Sequence, residues 1–383
     1  MSVQSFRCSR LPNLTRLRDT CVTLQVKKPL FTGFLENYPF CSEERVGHCK
    51  YEIDREPERL KQLLEMAGRE RLFNKTQKLQ RELRKRSFDE TLYRGIMEGL
   101  GYRHNKAPFR RLADIVPISA VREITSSAPR LDRAMTLQSL YFGASGLFSN
   151  IEVQLWDAET RAYCEALAQT WEGIKYAAGP VRLHKKDWTL AGVRPANFPL
   201  RRMAGLSFLM AERFEKGPGE AATNFGKAIK SCGDIKQIKR ELDKFSALLC
   251  CEGYGYWAHH IVPGGKRLDA VPSLIGEPLA HAIALNTVVP LLLARAAQRE
   301  DTLLRDRLLD LYSIFPSLDK HRITKLMQHR LWGKNGTGGK ILAREINQQG
   351  LIQIFNDFCD ENVLNCSLCP LPRMLYLSGD DTD

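Results

Sequence analysis

No stretch of this chain stays apolar for the roughly 18 residues that a bilayer crossing requires. The longest candidate, 283–297, is broken by Asn286, Pro290 and Arg295 and reads as a buried core helix. The opening residues, MSVQSFRCSR, are basic but lack the apolar core of a secretory signal. No membrane partner is expected, and a cytoplasmic location follows by default. There is no internal repeat of fixed period and no low-complexity tract, which argues against solenoids and propellers. Neither G-x-S-x-G nor H-E-x-x-H occurs, so two common hydrolase signatures are missing. Carboxylates such as Asp54, Glu56, Asp114, Asp187 and Glu252 are present, but none stands in a pattern that names a reaction. The reading therefore leans away from an enzyme for this chain alone.

What is present begins with charge. The 383 residues carry a net charge of +13, which favours an acidic partner: DNA or RNA first, an anionic membrane surface second. The plainer account is that the charge only confers solubility. Hydrophobic content of 43% with 26% charged residues is that of a soluble globular protein, and the length allows two domains or one large helical one. The eleven cysteines are an odd number. Without an export signal they read as reduced thiols rather than a disulfide framework.

Along the chain, residues 1–55 are irregular, with one candidate strand at Cys21 to Val26. They read as the edge or remnant of an N-terminal module. From Glu56 the pattern turns helical, with Leu60, Leu63, Leu64, Ala67, Leu72, Leu79 and Leu83 at helical spacing. Ser87 with Glu90 predicts a capping box for a helix from Phe88 to Leu100. Pro108 opens another, Phe109 to Ile115, which stops before Pro117. Further helices are expected at 131–148, 157–177, 199–215, 234–251, 278–297, 300–313, 321–331 and 341–359. The expected architecture is mostly α, a multi-helix bundle or array with few short strands near the N-terminus. It divides into helical regions 56–215 and 216–375, with an acidic tail at 376–383.

Several segments bear on chemistry. From Lys61 to Arg86 nine Lys and Arg residues face three Glu. Arg69, Arg71, Lys75, Lys78, Arg81, Arg84 and Lys85 are candidate phosphate ligands whose binding would be salt-dependent. The alternative is a solvated helix face. Val193 to Arg202 forms a second basic spot: Pro195 and Pro199 bracket Asn197 and Phe198 in a stiff elbow, and Arg194, Arg201 and Arg202 flank it. Near the C-terminus Cys359, Cys366 and Cys369 stand as C-x6-C-x2-C before Pro370. Three soft thiolates suit zinc or an iron–sulfur cluster, and Cys250, Cys251, His259 or His260 could add a fourth ligand through the fold. Otherwise they are three small packed hydrophobes. Tyr254 to His260, YGYWAHH, reads as an aromatic core segment with one satisfied histidine, or as a base-stacking or metal site. Gly333 to Lys340, GKNGTGGK, is no phosphate loop: Lys334 replaces the required Gly, and Ile341 stands where Ser or Thr would bind magnesium. It reads as a flexible connector.

Together these segments carry a resemblance. Leu92-Tyr93-Arg94-Gly95-Ile96-Met97-Glu98-Gly99-Leu100-Gly101-Tyr102, followed by Asn105, Pro108-Phe109 and Leu112-Ala113, resembles a recurring segment of the bacterial domain-of-unknown-function family DUF2851. So do Tyr141 to Leu147 (YFGASGL), the Arg194-to-Pro199 elbow, and Asn286-Thr287-Val288-Val289-Pro290. Gln348 to Gln353, running into the cysteines, looks like that family's C-terminus. The likeness extends from about residue 56 to 370 and implies no particular activity. Members usually begin with a module of Gly-Pro-Asp-Phe, Val-Glu-Ile-His and Ser-Asp-Trp segments, which by analogy is similar to the metal core of restriction-type nucleases. Those segments are missing here, so the resemblance implies that this module, with its catalytic groups, is absent or supplied separately.

The leading expectation is a nucleic-acid-associated helical module, non-catalytic by itself. One alternative is a structural or protein-interaction module whose charge is incidental. Another is a metal-dependent nuclease-like enzyme, which requires carboxylates converging near a Lys or His.

Overall fold

A computed structural model describes residues 57–102, 104–148, 156–179, 182–318, 322–333, 339, 341–359 and 371. The candidate strand at Cys21 to Val26, Cys366, Cys369, most of 333–340 and the acidic tail fall outside these residues. Helices account for 74% of the interpretable structure, and no strand occurs there, as the mostly α reading expects. One isolated bridge pairs Cys251 with Ile275.

The helices are α1 Pro57–Leu83, α2 Phe88–Leu100, α3 Lys106–Ile115, α4 Ile118–Ser127, α5 Arg133–Ser145, α6 Ala158–Ile174 and α7 Pro199–Glu212. They continue as α8 Pro218–Ser231, α9 Ile235–Leu249, α10 Glu277–Ile283, α11 Val289–Gln298, α12 Thr302–Ile314, α13 Arg322–Trp332 and α14 Glu345–Ile354. Two π turns, Ala284–Val288 and Phe355–Cys359, follow α10 and α14.

The chain forms two compact units, one of Met1–Leu72 with Asp319–Asp383 and one of Phe73–Leu318. The expected division near 215 falls inside the second unit. There Gly217 takes φ +95 and lets the chain turn straight into α8, with Pro218 at its first position. Asp89 of α2 accepts from the Gly219 N–H at 2.6 Å and pairs with Arg122 of α4, so the turn is tied into the fold. Helix α8 thus begins at the Gly-Pro-Gly run, in the gap between the helices expected at 199–215 and 234–251. Helix α4 was missed for the same reason: Pro117 ends one helix and, in extended conformation, caps the next.

Ser87 caps α2, its Oγ accepting from Glu90 N at 3.1 Å. The reciprocal half of the predicted box does not form. The Glu90 carboxylate instead accepts from Ile118 N at 3.2 Å and satisfies a first-turn amide of α4.

In the first unit, Leu60, Leu64 and Ala67 of α1 pack with Met327, Leu331, Leu342, Leu351 and Ile354. Gly350 sits on the Leu64 carbonyl and Gly68 on the Ile346 carbonyl, with no room for a Cβ at either. The two helices approach backbone to backbone because each offers glycine at the contact. In the second unit α7 is the buried axis, with every residue from Pro199 to Ala211 buried, and α5 packs along it.

One helix among the described residues, Glu277–Gln298, is long and apolar enough to cross a membrane, and 83% of its apolar window is buried within the protein. That burial is the signature of a core helix, as expected for 283–297. Pro290 offers no N–H to the turn before it, and the π turn at Ala284–Val288 is where the helix absorbs this.

Candidate functional site

The elbow has the stiffness its prolines predict, but its arginines face inward. Arg194 and Phe198 precede prolines and take extended ψ values of 137° and 136°. Between them Pro195–Asn197 makes one 3-10 turn, and Pro199 opens α7. Arg194 is exposed. Arg201 and Arg202 are 0% and 5% exposed, which corrects their reading as surface phosphate ligands. The reason is the all-round burial of α7. The irregular segment around 260–274 carries carbonyls that no helix or ladder satisfies, and a buried carbonyl needs a donor. Arg201 donates to the carbonyls of His260, at 2.9 Å, and Pro272. Arg202 donates to the Leu274 carbonyl and to Asn197 Oδ1, the latter at 2.6 Å, and lies over the Tyr102 ring. Burial, reinforced by neighbouring Arg202, pushes the Arg201 guanidinium down to about 10.

Around His260 lies a layered aromatic assembly. Its imidazole stacks on Tyr256 with centroids 4.1 Å apart, and Tyr256 stacks on Tyr163 at the same distance. Trp257 Nε1 donates to Tyr163 Oη at 2.8 Å and Gln138 Oε1 at 3.0 Å. The Tyr256 hydroxyl lies 3.1 Å from Thr160 Oγ1. Within YGYWAHH, Tyr256, Trp257 and His260 are thus interior with interlocked polar tips, whereas Tyr254 is exposed. His259, half-buried, has Nδ1 3.1 Å from the Leu268 carbonyl.

The basic residues of α1 separate along its length. Arg69 is half-buried. Arg71 Nε donates to Gln349 Oε1 at 2.8 Å, and Lys75 Nζ donates to Asn286 Oδ1. Arg71 and Lys75 are therefore engaged in packing rather than held out to a ligand. Lys78, Arg81, Arg84 and Lys85 are exposed, and no described carboxylate pairs with them.

Sequence reasoning missed a second basic group. Asn105 donates to the Thr189 carbonyl and accepts from the Thr189 N–H, both at 2.9 Å, clamping two distant segments together. Phe109 and Trp188 meet edge to face at 5.2 Å beneath the clamp. Lys106 and Arg110 on one segment and Lys185 and Lys186 on the other are exposed and without an ion pair among the described residues. Arg111 instead pairs with Asp187 at 3.0 Å. Arg94 pairs with Asp114, and burial lowers its pKa. In the sequence this group shows only as the short charged run His184-Lys185-Lys186-Asp187.

Cys359 ends the π turn after α14, half-buried; its proposed co-ligands Cys366 and Cys369 lie outside the described residues. Cys250, Cys251, His259 and His260 belong to the other compact unit. Burial raises the thiol pKa of Cys250 and pushes that of Cys251 up to about 12. Among the described residues one group brings three metal-capable atoms within 4.8 Å of one another: Asp157, Glu159 and His260.

The motifs that carry the family likeness meet in the interior. Tyr93 and Tyr141 share a hydroxyl contact of 3.2 Å, and Tyr93 donates to the Val116 carbonyl at 2.9 Å. Gly95 seats Thr287, whose Oγ1 donates to the Gly95 carbonyl at 3.3 Å. Gly143 packs against the Trp171 ring. These are joints between helices. Compared with known proteins, residues 14–320 match the model of one family, described as a protein of unknown function (DUF2851). The match lends no support to a missing nuclease-like module. No curated protein and no solved structure matches the chain. On a match that spans well over half of its length, the chain belongs to the DUF2851 family.

Proposed function

We propose that this protein is a nucleic-acid-associated helical module that binds phosphates through an exposed basic strip. The observation behind this reading is the set of exposed cations Lys78, Arg81, Arg84 and Lys85 at the end of α1, without an ion pair among the described residues, with Lys106, Arg110, Lys185 and Lys186 gathered by the Asn105 clamp. Tyr102, 40% exposed beside this clamp, offers an aromatic face for a base. Each phosphate neutralised on a duplex adds about −0.9 to the slope of log affinity against log salt. Replacing Lys78, Arg81, Arg84 and Lys85 together by Ala flattens that slope by roughly 3 to 4 if each contacts a phosphate. Binding absent at low salt, or a slope unchanged in the variant, refutes the reading.

The C-terminal run Cys359, Cys366 and Cys369 is read as holding zinc or an iron–sulfur cluster. Metal analysis with a visible spectrum of anaerobically purified protein tests it. Protein with neither metal returns these cysteines to ordinary packing.

A further inference from the structure

We propose that Asp157, Glu159 and His260 form a binding site for a divalent metal ion. Asp157 caps α6, and Glu159 lies in its first turn. His260 arrives from a distant segment and is 0% exposed. One ligand atom from each lies within 4.8 Å of the other two.

The histidine carries the argument. Its Nδ1 lies 3.0 Å from the Tyr256 carbonyl, and a carbonyl can only accept, so Nδ1 bears the proton. A backbone carbonyl on the far nitrogen is the usual means of orienting a metal-binding imidazole. The other nitrogen, Nε2, is buried and has no hydrogen-bond partner among the described residues. An unpartnered buried acceptor is costly. A cation held by this nitrogen and the two carboxylates removes that cost.

The carboxylates remain available. Asp157 accepts from Thr160 N at 2.8 Å and Thr160 Oγ1 at 2.9 Å, one bond on each oxygen. Each oxygen keeps a further lone pair. Glu159 pairs with Arg267 at 2.6 Å, an exposed contact worth little that can yield to an ion. Metal–ligand distances near 2.1 Å put ligand atoms up to about 4.2 Å apart, a span that rotation of exposed Glu159 reaches. The positive end of the α6 dipole opposes a cation, an effect smaller than the attraction of two carboxylates. One imidazole and two carboxylates suit Mn2+ or Zn2+ better than Mg2+ or Ca2+, and water fills the remaining positions.

The site is independent of the nucleic-acid reading, and Mn2+ is the probe because thiolates favour softer ions. Nucleic-acid-free, chelator-treated full chain is titrated with Mn2+ and followed by electron paramagnetic resonance. One ion is expected per chain, with pulsed spectra showing coupling to an imidazole nitrogen. D157N keeps the helix cap, because Asn caps as well as Asp. D157N and E159Q should each weaken binding at least tenfold, and R267A should strengthen it by releasing Glu159. No uptake by the wild type, equal affinity in D157N and E159Q, or bound Mn2+ without nitrogen coupling overturns the proposal.

Discussion

Arg201→Ala separates an interior arginine from a surface one. Arg201 is fully buried in α7 and donates to the carbonyls of His260 and Pro272. A hydrogen bond to a charged group contributes about 1.5–3 kcal/mol, so two bonds are worth roughly 3–6 kcal/mol. Part of that is offset, because the variant no longer desolvates a guanidinium, whose Nε is itself buried and has no partner among the described residues. The net expectation is a loss of about 3–5 kcal/mol, comparable to breaking a buried charged pair. Arg201→Lys keeps a charge but cannot span both carbonyls, and should lose about 2 kcal/mol. The assay is urea denaturation, compared with Arg84→Ala, an exposed change expected to stay within about 0.5 kcal/mol. The nucleic-acid test gives the opposite ranking: Arg84→Ala weakens binding and folded Arg201→Lys does not. An Arg201→Ala protein as stable as the wild type would falsify the interior role.

The other expectations concern single contacts. Gly350→Ala drives a Cβ into the Leu64 carbonyl and should cost about 1–3 kcal/mol in urea, whereas an unchanged midpoint means the two helices are not in backbone contact. Ser87→Ala removes the cap of α2 and should cost about 1 kcal/mol; no change means the cap is idle. Burial pushes Cys164 up to about 11 and Cys251 up to about 12, from an ordinary 9.0. A thiol raised in this way stabilises fully below its unfolded pKa, and the contribution is lost as pH rises through the folded one. The urea midpoint should therefore fall from pH 9 upward, and less steeply with Cys164 and Cys251 both replaced by Ala; identical slopes refute the burial argument.

Most helices were legible because their signals are local. The spacing of Leu60, Leu64 and Ala67, and Ser87 ahead of an amphipathic run, are properties of neighbouring residues. Proline was misread where direction mattered. Pro117 and Pro218 have the same chemistry whether they end a helix or open one, and the sequence shows only that a boundary is near. The basic helix was recognised as basic, but its division into packed Arg71 and Lys75 and exposed Lys78 to Lys85 was not visible. The clamp from Asn105 to Thr189 joins residues with no local signal of their pairing.

The sequence alone determined that this chain is helical, basic and a member of its family, because periodicity, charge and motif order survive without a third dimension. Only the tertiary structure decided which cations meet solvent and which of the scattered acids meet a histidine. Burial of Arg201 depends on helices packing around α7, and Asp157 reaches His260 only once the chain between them has folded.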